Sequence, residues 1–169
     1  MIVVTVQGHG DSGKTRALQL LILKIIKEYF PQDVFIGEKD LYELKSTGKL
    51  LNSKGKPKDI TVIVEIGDIK IGITTKGDTE ECLRKAFEWF EAKDCDIAVC
   101  ACHLELTQTA KYLRENYDNV TYVSKNKVNG SQEEQERDSE KVCNDIFDEL
   151  QKILPVFKNT TINTTPEIL

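Results

Sequence analysis

No stretch of this 169-residue chain is long and apolar enough to cross a bilayer. The longest apolar run, at 18–26, is broken by Gln19 and Lys24. The opening run Met1 to Val6 has no basic segment ahead of it and no small-residue cleavage site behind it, so it is expected to be a first strand and not a signal peptide. Net positive charge is also missing. With 23 Lys and Arg against 28 Asp and Glu, the formal charge is -5, which gives no general pull toward nucleic acid or an anionic membrane. A disulfide framework is not indicated either. The five cysteines, Cys82, Cys95, Cys100, Cys102 and Cys143, are odd in number, and with no export signal they are expected to be reduced thiols in a cytoplasmic protein. There is no internal repeat and no low-complexity block.

What is present fits one globular domain. The apolar fraction is 40% and the charged fraction 30%, and the length is enough to bury a core. The domain is expected to cover residues 1–154. Residues 155–169 read as a loose polar tail, in which Asn159-Thr160-Thr161 and Asn163-Thr164-Thr165 fit the glycosylation pattern without a secretion signal to make it meaningful.

Strand-like and helix-like segments alternate, which predicts an α/β fold. Residues 2–6 are β-rich. From 15 to 30, Leu18, Leu21, Ile22, Ile25, Ile26 and Tyr29 form one stripe at helical spacing, stopped by Pro31. Residues 34–36 are a short strand. The lysine-rich segment 39–59 reads as a short helix near 41–44 followed by a loop. Two apolar runs at 60–66 and 69–75, joined at Gly67-Asp68, predict a hairpin. Asp78 then opens a helix with Cys82, Leu83, Ala86, Phe87 and Phe90 on one face. Residues 96–102 are a nearly unbroken apolar strand of the kind buried on both faces. A helix at 107–116 and a strand at 120–123 follow. Ser131 and Glu134 form a capping box for a last long helix ending near Leu154.

Between the first strand and the first helix lies Gly8-His9-Gly10-Asp11-Ser12-Gly13-Lys14-Thr15, a full match to G-x-x-x-x-G-K-[ST] in its proper strand-loop-helix setting. The glycines let the backbone curl so that several amides point into one concavity, and the helix that starts there adds its positive dipole end. On these residues the chain resembles the P-loop NTPase superfamily. The resemblance implies a three-layer fold with a mostly parallel central sheet, one antiparallel hairpin strand and helices on both faces. It implies that residues 8–16, through Arg16, bind a nucleoside triphosphate. Lys14 would reach the β- and γ-phosphates as a catalytic residue, and the Thr15 hydroxyl would bind Mg²⁺. ATP is the expected nucleotide, with GTP less favoured.

Such a site needs an acidic residue for the metal at the carboxyl end of a strand. Glu65, Asp68, Asp78 and Asp96 are the candidates. The strand at 69–75, the helix after it and the strand at 96–102 make a β-α-β unit, so the first of these ends on the same edge as the glycine loop. Its hairpin partner runs the other way, which sends Gly67-Asp68 and Glu65 to the far edge. Asp78 is therefore the expected metal ligand and a catalytic residue. The bland alternative is that Asp78 caps the next helix, with Glu81 three residues on. Segment 74–79 is also placed to sense the γ-phosphate.

Other residues share that edge. His103 and Glu105 are candidates to orient an attacking water, against the alternative of a polar strand end. Cys100, Cys102 and His103 lack a second ligand pair and do not make a metal site. Asn126-Lys127-Val128-Asn129 is similar to the guanine-reading Asn-Lys-x-Asp of GTPases, but Asn129 replaces the carboxylate that accepts two guanine hydrogen bonds. The lysines of 39–58 suit an acidic or phosphorylated acceptor or a solvated loop. Tyr42 is alone among them, and the aromatic interleaving expected of nucleic-acid binding is missing. Three functions stand open: an ATP hydrolase or switch, a small-molecule or nucleotide kinase, and a binding module acting through a protein partner or a homodimer. The arginines expected of a kinase lid are few, with Arg84 and Arg114 on helices and Arg137 in the late loop.

Overall fold

A computed structural model describes residues 1–10, 12–104 and 107–154. The tail expected at 155–169 lies outside the described residues, as do Asp11 and Glu105 of the candidate residues.

The chain runs β1 (Ile2–Gln7), α1 (Lys14–Tyr29), β2 (Asp33–Phe35), α2 (Glu38–Thr47), β3 (Thr61–Ile66), β4 (Ile69–Thr74), α3 (Glu80–Ala92), β5 (Ile97–Cys102), α4 (Gln108–Asn116), β6 (Val120–Ser124) and α5 (Gln132–Ile153). The six strands form one sheet in the order β2-β3-β4-β5-β1-β6. β4, β5, β1 and β6 are parallel neighbours, and β3 runs antiparallel to both β2 and β4. The α/β class and the single reversed hairpin strand agree with the sequence pattern.

Alternation along the strands sorts side chains onto two faces. Val4, Val6, Val64, Ile73 and Val99 pack against the stripe of α1 and against Val142, Ile146 and Leu150 of α5. Val3, Ile63, Ala98 and Cys100 pack against Leu83, Phe87 and Phe90 of α3 and Leu113 of α4. All six residues of β5 are buried, as a strand covered on both faces requires. Each buried Leu or Ile of the α1 stripe adds about 1.5–3 kcal/mol.

Local chemistry sets the helix ends. α5 has its capping box, with Ser131 and Glu134 each bonded to the other's main chain. α3 is capped by Thr79, whose Oγ1 accepts from the Cys82 amide at 3.2 Å. The cap is thus Thr79 and not Asp78, because the extended backbone at Thr79 aims its hydroxyl at that amide. α2 covers ten residues, more than the single turn expected, since burial of Leu44 anchors it and Gly48, at φ 71°, ends it.

Segment 48–59 is pinned and is not the loose solvated loop that its lysines suggested. Gln19, fully buried on α1, donates from Nε2 to the carbonyls of Leu50 (2.9 Å) and Lys58 (3.0 Å) and accepts from the Leu50 amide (3.2 Å). Asn52 Oδ1 accepts from the amides of Lys54 and Lys56, and Leu51 bridges to Pro57. Among the described residues, no helix is long and apolar enough to cross a membrane.

Candidate functional site

The parallel strands β1, β4, β5 and β6 all end at one edge of the sheet, and the loops beyond that edge enclose a cleft of about 760 Å³. This volume is in the range of small-molecule sites. Its floor is the turn from β1 into α1. Gly13 adopts φ 86°, a conformation that favours glycine, and α1 begins directly behind it.

α1 starts without a side-chain cap and without an acidic residue in its first turn. By contrast, α3, α4 and α5 are capped by Thr79, Thr107 and Ser131. A helix leaves its first-turn amides without intrahelical partners, and with them the positive end of its dipole. Here Gly13, Lys14, Thr15 and Arg16, which carry the amides at that end of α1, line the cleft. Lys14 folds back across the loop. Its Nζ donates to the carbonyls of Gly8 (3.0 Å) and His9 (2.6 Å).

The loop is braced from β6 and α5. The Lys125 amide donates to the Gln7 carbonyl (2.8 Å), and the buried Lys125 ammonium pairs with Asp138. A Cβ at Gly8 would stand 2.3 Å from the Lys125 carbonyl oxygen, so only glycine passes there. His9 and Gly10 are exposed at the tip.

Arg16, expected among the ligand-binding residues, is engaged by the protein. Its guanidinium bonds both carboxylate oxygens of Glu136 and donates to the Gly48 carbonyl at 2.7 Å. That hydrogen bonding holds the Glu136 carboxyl below its ordinary value. The residue ties α1, α2 and α5 together at the cleft wall.

The Thr15 hydroxyl faces a carboxylate that the sequence did not single out. Asp59 Oδ1 accepts from Thr15 Oγ1 at 3.1 Å and from Thr75 Oγ1 at 2.9 Å. Because β3 is antiparallel, its first residue lies at the edge where β4 ends, with Thr61 opposite Thr74. Glu65, by contrast, pairs with Lys70 near the far edge, and Asp96 Oδ2 accepts from the Lys70 amide there. Asp78 does reach the cleft, as the β-α-β argument required. Its Oδ1 stands 3.2 Å from His103 Nε2, at the boundary with a smaller pocket of about 390 Å³. Gly77 makes this possible. It packs so closely on β5 that a Cβ would stand 1.7 Å from the Ala101 carbonyl oxygen.

Further residues complete the walls. Lys127, Val128 and Asn129 line one side, and Lys49 and Lys56 of the pinned segment line another. Arg84 and Arg137 pair along their own helices with Glu88 and Glu133. Cys100 and Cys102 are buried, which pushes both thiols up and keeps them protonated. Among the described residues, no group of three or more His, Cys, Asp or Glu is arranged to hold a metal ion.

Compared with known proteins, the chain matches no family model, no curated protein and no solved structure.

Proposed function

We propose that this protein binds a nucleoside triphosphate, preferentially ATP, at residues 8–15 and hydrolyses it with Mg²⁺, as a small P-loop NTPase. The observation that carries the reading is the uncapped start of α1, opening into the cleft between Lys14 and the Thr15–Asp59 pair. Helix-start amides, a dipole end and an ammonium together favour a polyphosphate.

The donors suit Mg²⁺, a hard cation that takes few protein oxygens and keeps several waters. Thr15 and Asp59 would hold it, with Asp78 the second carboxylate in reach of the same cleft. When bound, the ion neutralises charge on the β- and γ-phosphates. The chain's own work is positioning. Loop amides hold the phosphates, and Lys14 exchanges its bonds with the Gly8 and His9 carbonyls for phosphate oxygens. The Asp78–His103 pair orients a water at the terminal phosphate. Asn129 on the cleft wall offers one amide acceptor where a carboxylate offers two, which favours adenine over guanine.

Calorimetric titration with ATP, GTP and their non-hydrolysable analogues, with and without Mg²⁺, tests the reading alongside a phosphate-release assay. Mg²⁺-dependent ATP binding that Lys14→Ala weakens by about tenfold or more is expected, the loss of charge-assisted hydrogen bonds. Undiminished affinity in that variant, with its fold intact, would overturn the assignment.

A further inference from the structure

Segment 48–59 carries four lysines, and the structure treats them differently. Lys58 is spent on Asp40, at 2.7 Å. Lys54 sits on the turn and does not line the cleft. Lys49 and Lys56 do line it, and among the described residues neither has an ion-pair partner. Lys49 is close enough to Glu136 to add to the pull on that carboxyl, but Arg16 already holds it.

A solvated loop would need no framework, yet this one is fastened at both ends by a buried glutamine and at its start by Arg16. Holding two exposed cations at fixed positions costs side-chain and backbone entropy. Net charge gives no reason for them either, since the chain is acidic.

Their place is displaced from the loop at 8–15. Gln19 lies five residues past Lys14, about 7 Å along the helix axis. The segment then feeds β3, which stands three strands from β1 in the sheet, a separation of about 14 Å. The 127–129 wall follows β6, on the other side of β1. A nucleotide with its phosphates on the α1 amides and its base toward 127–129 leaves the Lys49–Lys56 side open.

Resting on the nucleotide reading, we propose that Lys49 and Lys56 form a second phosphate-binding subsite in the same cleft, which takes the phosphate group of a second, phosphorylated small molecule beside the terminal phosphate of the nucleotide. Two ammonium groups suit a phosphate as point charges, without the planar geometry an arginine fork demands.

Diadenosine pentaphosphate is a probe that spans both subsites, and its affinity is compared with that of ATP, both with Mg²⁺. The wild-type protein should bind it at least about tenfold more tightly than ATP, since the second group binds at high effective concentration. Lys49→Ser/Lys56→Ser should erase that gain and leave ATP affinity and thermal stability unchanged. Lys54→Ser should keep the gain, which separates a built subsite from general attraction of a polyanion. The proposal is overturned if the wild-type protein shows no gain, if Lys54→Ser loses as much as the double variant, or if the double variant weakens ATP equally. In those cases ATP still binds and the nucleotide reading stands. Absence of ATP binding in the wild-type protein would overturn both.

Discussion

Thr15 and Asp59, 44 positions apart in the chain, are joined by a hydrogen bond of 3.1 Å from the threonine hydroxyl to the aspartate carboxylate. Thr75 donates to the same oxygen, so the start of α1, the start of β3 and the end of β4 meet at one atom. In the proposed function Asp59 holds the metal ion, and Asp78 serves the water. Asp59→Asn should therefore lower nucleotide affinity about 10–100-fold in Mg²⁺ and leave metal-free binding little changed. Asp78→Asn should keep the affinity and slow phosphate release. Titrations across a range of Mg²⁺ concentration separate the two variants, and an equal loss of Mg²⁺ dependence in Asp78→Asn would return the metal to Asp78.

The sequence holds the information that places Asp59, but in indirect form. Turning the hairpin correctly sends Gly67 and Glu65 to the far edge, and the same step brings Asp59, two residues before β3, to the near one. Local patterns do not display that consequence, because Asp59 follows a lysine-rich, glycine-containing stretch that resembles solvent-exposed loop. The glycine loop, the stripe of α1 and the capping box of α5 were legible because each is a short-range pattern with its own hydrogen-bonding logic. The role of Gln19 was not. A polar residue inside an apolar stretch reads as an interruption, and only the tertiary structure brings Leu50 and Lys58 to its side chain. The Arg16 contact is hidden for a related reason. Arg16 is next to the glycine loop in sequence, while its partner Glu136 is 120 positions away.

Gln19→Ala should test how firmly the cleft wall is held. It leaves the buried Leu50 amide and the part-buried Lys58 carbonyl without their partner, while the Leu50 carbonyl keeps the Lys58 amide at 2.8 Å. Unsatisfied groups of this kind cost about 1–3 kcal/mol each unless water replaces the bond. We expect a loss of at least about 2 kcal/mol in urea unfolding. Trypsin should also cut faster after Lys49 and Lys54, because the segment loses its fastening. Unchanged cleavage would mean that Arg16 and the Asn52 turn hold the wall by themselves.

Gly77→Ala should damage the site through the backbone. The added Cβ would meet the Ala101 carbonyl oxygen at 1.7 Å and its carbon at 2.5 Å, both in the main chain of the buried strand β5. Neither can rotate away, so the turn carrying Thr75 and Asp78 must move. A stability loss of about 1–3 kcal/mol is expected, with a fall in turnover. Gly37→Ala is the control, since its Cβ would meet Asp40 Oδ2 at a comfortable 3.9 Å. Thermal melts of the two variants should differ clearly, and equal melting temperatures would contradict the close packing of Gly77 on β5.

The Arg16–Glu136 pair should make part of the stability depend on pH. Hydrogen bonding from Arg16 depresses the Glu136 carboxyl below its ordinary 4.5, against the opposing effect of burial. A carboxyl with a depressed folded-state pKa binds protons less readily when folded than when unfolded. Its stabilisation is therefore complete above the unfolded value and is lost as pH falls through the folded one. Glu136→Gln keeps the shape but has no charge to lose. Urea unfolding of both proteins should show the largest gap near neutral pH, and the gap should shrink as pH falls below about 4. The change should be modest, because Glu136 remains partly open to water and screened. A gap that does not vary with pH would mean that Glu136 acts here through packing and neutral hydrogen bonding, with no contribution from its charge.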